Sequence, residues 1–477
     1  MRRGQRLASA AAAAAALLAA GCADTVTGRP VSVFADPFRV AGMPAVDGPT
    51  GLRPDAAAPT REAIGTDHGE MDRLATAGVS DIEQYWTEAF PRAFDGRTLS
   101  PVTALVSWDA TGMPRVFCDE LTFGLVNAAY CYDDRTIGWD RGELLPSLRD
   151  QHGEMAVVMV LAHEYGHAVS RQARLSTRRT GTLISEQQAD CFAGAYLRWV
   201  TEGNSPRFTL NTGDGLNNVL AAVIAFRDPL FAEDDLGAGL DEHGSAFERL
   251  SAFQAGFTDG PPACAAIDAE EIEQRRGDLP VLLQAHETGE LPVTEQSVRE
   301  IVAALGVLFE PAEPPRLRFT GASAGCPDAR PSPPVSYCPA TNTLSVDVAG
   351  LADLATAHTA DAALATGDNG AYSVLISRYM LALQREHGGV ALDTAAAALR
   401  TACLTGVATT RLSAPDTDGV EVRLTAGDVD EAVSGILTNG LAAGDVNGET
   451  VPSGFSRIEA FRLGVLGDAD RCYRRFG

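Results

Sequence analysis

The 477-residue chain is poor in positive charge: 38 lysines and arginines stand against 63 aspartates and glutamates, a net charge of −25 at pH 7. Phosphate binding needs a basic surface, so nucleic acid is excluded as a partner, and the acidity reads as a solvated, solubilising surface. Beyond the N-terminus no apolar run approaches the ~20 residues that a membrane-spanning helix requires. None of the nine cysteines has the CxxC spacing of a zinc ribbon or a redox site. Hydrophobic content of 45% and charged content of 21% are ordinary, and the length suits two or three domains with sizeable cores.

What is present begins with an export signal over residues 1–22. Arg2, Arg3 and Arg6 form a basic start, residues 8–20 are almost all Ala or Leu, and the segment ends LLAAGC. This resembles a bacterial lipobox with Cys22 as the lipidated residue, although Ala19 stands where Leu is usual. The implied location is outside the cytoplasm, anchored by lipid to the outer face of the cell membrane; plain secretion is the alternative. Residues 23–61, rich in Pro, Gly, Ala and Asp and without apolar periodicity, read as a flexible tether.

The two halves repeat the same landmarks in the same order. YCYDDRTIGWD at 130–140 answers to YCPATNTLSVD at 337–347, and ADCFAG at 189–194 to TACLTG at 401–406. ERLSAFQAGFTDGPPAC at 248–264 aligns without gaps to SRIEAFRLGVLGDADRC at 456–472. This indicates a tandem duplication, with domains at 62–270 and 290–477 joined by a linker at 271–289. Each copy is expected to be α+β. A helix comes first (Val79–Phe90 and Glu295–Phe309), then a small sheet, then a helical body. Without Cys22, eight cysteines remain for an oxidising compartment. Four cysteines allow three pairings. The repeat favours pairing within copies: Cys118–Cys131 with Cys191–Cys264, and Cys326–Cys338 with Cys403–Cys472.

The chemistry gathers in the first copy. His163 and His167 are four apart in an apolar segment, so on a helix both imidazoles share a face and can grip one zinc ion, with Glu164 as general base. Glu186 and Asp190, again four apart on a second expected helix, can supply the third ligand and a partner for the free ring N–H of a ligand histidine. Tyr165 falls off the histidine face and reads as packing. His68 and His152 have no partners at ligand spacing and read as surface residues.

HEYGH, then EQQADCFAG, then HGSAFERLSAFQAGF together resemble the bacterial neutral zinc metallopeptidases, and more distantly the thermolysin-like enzymes with a glutamate third ligand. Gln187 stands where those families commonly have Leu. The resemblance implies a zincin-like fold, zinc held by His163, His167 and Glu186, and a zinc-bound water activated by Glu164. Asp190 would support a ligand, His243 becomes a candidate for stabilising the oxyanion, and the substrate is a peptide or protein. In the second copy Ser377, Arg378, Leu381, Ala398, Ala402 and Val451 replace the site residues, so that copy should hold no metal. Two other readings stay open: a zinc-binding scaffold without turnover, and a zinc amidase acting on a cell-wall component. Oligomeric state is not legible.

Overall fold

The computed structural model describes residues 36–177, 179–231, 243–284, 287–319, 325–356, 364, 366–414 and 419–477. The expected signal segment, Cys22 and residues 23–35 lie outside them. The architecture is mixed α+β, with small sheets set against many helices.

Residues 36–61 are not a free tether. Strand β1 (Arg39–Val40) pairs with β2 (Met43–Pro44), and β3 (Gly51–Leu52) pairs with β9 (Phe208–Thr209). The Val46 N–H donates to Thr212 Oγ1 at 2.8 Å and the Leu52 N–H to Glu154 Oε2 at 2.7 Å. The tether reading failed because backbone hydrogen bonds hold this segment, and these do not depend on apolar periodicity.

Helix α1 runs Glu70–Ala93, starting nine residues before the expected Val79. The extra turns put Met71, Leu74 and Ala75 on the buried face. Asp72 is buried and accepts the Trp139 Nε1–H at 2.9 Å, while Gly78 lets Val158 and Leu161 approach. A three-stranded sheet follows from β4 (Leu105–Trp108), β7 (Ala128–Cys131) and β8 (Thr136–Asp140), in the order β4-β8-β7. Strand β8 is parallel to β4 and antiparallel to β7, and all five of its residues are buried. Strand β7 is left as an edge. Between β4 and β7, the short strands β5 (Val116–Phe117) and β6 (Glu120–Leu121) form a hairpin with Cys118 at its turn.

The helical body of this half comprises α2 (Leu144–His152), α3 (Glu154–Ala173), α4 (Thr182–Thr201), α5 (Asp214–Ala225), α6 (Ala246–Asp259) and α7 (Pro261–Ala265). At the α4–α6 crossing, a β-carbon on Gly194 would meet the Phe253 carbonyl, and one on Gly256 would meet the Cys191 carbonyl. Only glycine permits so close a backbone approach. A disulfide joins Cys191 of α4 to Cys264 of α7. Helix α8 (Ala269–Arg276) was assigned mostly to a linker, yet it packs on the first half, where Arg275 Nη1 donates to the Glu248 carbonyl at 3.0 Å and Arg276 pairs with Glu248. These contacts tie residues 271–276 to the first half.

The second half has α9 (Glu295–Phe309), β10 (Arg316–Arg318), β11 (Val335–Cys338), β12 (Thr343–Val346) and α10 (Val348–Ala355). It continues with α11 (Asp368–His387), α12 (Ala395–Ser413), α13 (Asp428–Thr438), α14 (Gly454–Val465) and α15 (Ala469–Phe476). Its sheet order is β10-β12-β11, again with one parallel and one antiparallel pairing. Gly406 and Gly464 sit at the α12–α14 crossing against the carbonyls of Phe461 and Cys403. The disulfides are Cys118–Cys131, Cys191–Cys264, Cys326–Cys338 and Cys403–Cys472.

All described residues belong to one compact unit. The halves meet where Phe257 packs on Phe455 (ring centroids 4.9 Å apart) and Gln254 donates to the Phe455 carbonyl. The Asp430 carboxylate also accepts the N–H groups of Ala246 and Phe247, both at 2.9 Å, and so caps α6 from the other half.

Candidate metal centre

Helix α3 carries an almost continuous apolar run, Met155 to Ala162, that buries it in the core, and the polar triplet of His163, Glu164 and His167 follows within the same helix. The two imidazoles face α4 with ring centroids 5.0 Å apart. His163 Nε2 lies 3.0 Å from Glu186 Oε2, and His167 Nε2 lies 3.3 Å from Glu186 Oε1. The other ring nitrogen of His163 donates to Asp190 Oδ1 at 2.8 Å. All five residues, Glu164 included, are buried.

Zinc fits this donor set. Ligands held about 2.0–2.1 Å from one ion in a tetrahedron stand about 3.3 Å apart, and one atom each from His163, His167 and Glu186 fall within 4.8 Å of one another. Asp190 occupies His163 Nδ1, which fixes the tautomer that leaves Nε2 as a ligand atom. His167 Nδ1 is buried without a hydrogen-bond partner, so what holds that ring is whatever Nε2 binds.

Electrostatics follow from burial and close pairing. Burial opposes the charge on His163, but Asp190 and Glu186 outweigh it and raise the imidazole to about 10. His167 goes the other way, lowered by burial to about 4. Burial would raise Glu186, but His167 and His163 pull it down; Asp190 is held down against burial by Arg249 and His163. Glu164 is pushed up by burial to about 7. Its Oε2 accepts the Tyr130 N–H at 2.8 Å, so the free edge of β7 borders the site.

His243 stands close enough for its charge to act on Glu164, His167 and Glu186, but its hydrogen bonds go elsewhere. Its N–H and Nδ1 both engage Asp228, at 2.7 and 3.1 Å, and this contact raises the imidazole above its usual range. Three residues escaped the sequence reading. Asp228 fixes His243. Arg249 grips Asp190 through Nε and Nη2, both at 2.9 Å. Tyr132 has its ring 6.2 Å from His167. Tyr132 and Arg249 lie inside motifs already noted, whereas no motif marks Asp228. Tyr165 is fully buried, His68 is exposed, and His152 is partly buried at the end of α2.

In the second half, Ser377, Arg378, Leu381, Ala398, Ala402 and Val451 are buried. Arg378 donates to the carbonyls of Val335 and Leu441 at 3.1 and 3.2 Å. A guanidinium thus takes a carbonyl of edge strand β11 where, in the first half, a carboxylate takes an edge-strand N–H. Cys326, Asp328 and Cys338 also lie close together, but the two sulfurs are joined as a disulfide and cannot ligate as thiolates.

A histidine pair on one buried helix, a glutamate on the next and an acid beside the first histidine make this a zinc-peptidase type of site on an α+β body. The sequence profile described as "Putative neutral zinc metallopeptidase" matches residues 8–267, and the chain belongs to that family. It is similar to two curated proteins, each called "Uncharacterized protein YpfJ", from Escherichia coli strain K12 and from Escherichia coli O6:H1 strain CFT073. Each is 27% identical over 246 residues, covering 47% of this chain and 81% of the relative. No solved structure matches.

Proposed function

We propose that this protein is a zinc-dependent peptidase that works outside the cytoplasm, tethered by lipid at Cys22, with His163, His167 and Glu186 holding the metal. The observation that carries this reading is Glu164, a buried carboxylate beside the ligand triad, with one oxygen fixed by the Tyr130 N–H on a sheet edge. Zinc, when bound, supplies a Lewis acid that polarises the peptide carbonyl and acidifies water. An extended peptide adds to the free edge of β7, which brings its carbonyl alongside Glu164. Glu164 accepts a proton from the attacking water through its other oxygen and later gives it to the leaving nitrogen. His243, which Asp228 at Nδ1 favours in its protonated form, offers Nε2–H as a donor for the oxyanion. Asp190 and Arg249 hold His163 in register.

We read the second half as a metal-free copy of the first. The matching sheet orders, the disulfides spanning 13 and 73 residues against 12 and 69, and the paired glycines at both helix crossings support this. It also helps to wall a cavity of about 390 Å³, where Val429 and Glu431 face Leu183, Asp228 and Gly244 of the first half.

The test is metal content and casein hydrolysis of the purified protein beside its Glu164→Gln variant. One zinc per chain in both, with hydrolysis lost only in the variant, is expected. Zinc without peptide hydrolysis in the wild type would turn the assignment to a scaffold or a different amide substrate, and absence of zinc would remove the site.

A further inference from the structure

A second cluster of potential ligands lies in the second half, away from the catalytic helices. Asp368 opens α11, and Asp428 and Glu431 sit in the first turn of α13. One oxygen from each lies within 4.8 Å of the others, and all three residues are buried. One oxygen of each is held by a backbone N–H: that of Leu291 on Asp368, of Thr425 on Asp428 and of Asn369 on Glu431. Asp368 Oδ1 and Asp428 Oδ1 are buried with no hydrogen-bond partner.

An uncharged residue shares the same predicament. Asn369 is 1% exposed, and it is pinned between the two acids of α13, its N–H on Glu431 and its amide nitrogen on the Asp428 carbonyl at 2.6 Å. Its amide oxygen also has no partner. Among the described residues the charges acting most strongly on the cluster are the three acids themselves and a fourth, Glu290. Burial first, and mutual repulsion second, push Asp428 up to about 8 and Glu431 to about 9.

Unpaired carboxylates are expensive to bury, and a bound cation removes the penalty. The donors are all oxygen, which suits a hard cation. Oxygens bound at 2.3–2.6 Å to one calcium ion stand at most about 5 Å apart, and one oxygen from each acid lies within 4.8 Å of the others. Magnesium dehydrates reluctantly and keeps several waters, so a cage made of protein oxygens suits calcium better. Glu431, Glu290, Thr366 and Gly427 also line the cavity between the halves, which gives an ion a way in.

We propose that Asp368, Asp428 and Glu431, with the amide oxygen of Asn369, form a calcium site that fastens the start of α11 to the start of α13. Asp430, inside the same turn, caps α6 of the first half, so the ion also steadies the helix that carries Arg249.

The experiment uses the full chain stripped with chelator, reloaded with zinc, and titrated with calcium chloride by calorimetry, with melting temperature followed in parallel. One calcium per chain and a rise in melting temperature that magnesium does not reproduce are expected. Asp428→Asn and Glu431→Gln should each abolish calcium binding, and should melt above the wild type in calcium-free buffer because a buried repulsion is relieved. His163→Ala, which removes a zinc ligand, should keep the calcium response, so failure here is separable from failure of the zinc assignment. Absence of stoichiometric calcium, an equal response to magnesium, or unchanged binding in both carboxamide variants overturns the proposal.

Discussion

Replacing Arg249 by leucine tests whether the metal centre is held by a network rather than by its ligands alone. Arg249 is 5% exposed and Asp190 1%, and two 2.9 Å bonds join them. The guanidinium also donates to the Phe226 carbonyl. The leucine leaves Asp190 as a buried carboxylate whose remaining partner is His163 Nδ1. Breaking a buried pair from one side costs about 3–5 kcal/mol. Removing a support behind a ligand histidine lowers metal affinity by about 10–100-fold. Both effects should appear together: a lower urea midpoint for the zinc-free protein, and weaker zinc binding in competition with a chromogenic chelator. Arg400→Leu is the control, since Arg400 is equally buried but serves Gln384 and the carbonyls of Ala391 and Phe476 in the second half. It should lower stability and leave zinc affinity within a factor of two or so of wild type. An Arg249→Leu protein that binds zinc as tightly as wild type would refute the reasoning.

Two further outcomes follow from packing. Gly464→Ala places a methyl group against the Cys403 carbonyl at a helix crossing, so it should destabilise the protein by about 1–3 kcal/mol; denaturant unfolding measures this, and zinc content of the folded fraction should not change. Deleting residues 36–61 removes the β3–β9 pairing, the buried Val40 and the bond to Glu154, so the melting temperature should fall by several degrees or more. An unchanged melting temperature would restore the tether reading for that segment.

The parts of the site legible in the sequence are those fixed by helical spacing. His163 and His167, like Glu186 and Asp190, are four apart, so a local rule places each pair on one face. Arg249 lies 59 residues from Asp190 and Asp228 lies 15 before His243; no periodicity links them, and their roles arise only when α4, α6 and the preceding loop come together. The same limit applies to the fold. The α9 helix forms at the expected Glu295–Phe309, and Thr294 with Ser297 closes its start as a capping box. The early turns of α1 escaped although Glu70, Met71, Leu74 and Ala75 are good helix formers; what anchors them is long-range, as in the Trp139 bond to Asp72 across 67 residues.

The carboxylate of Asp430 on the first turn of α6 makes the two halves unequal before mutation. Positions of the second half that serve only its own packing can drift as long as it folds. Positions around Asp430 cannot drift freely: a loss there uncaps the helix that anchors Asp190, and the damage is felt in the other half's zinc. Selection on the first half therefore reaches across the interface through one side chain, and tolerance maps of this protein should show Asp430 as intolerant as the residues that support the metal centre.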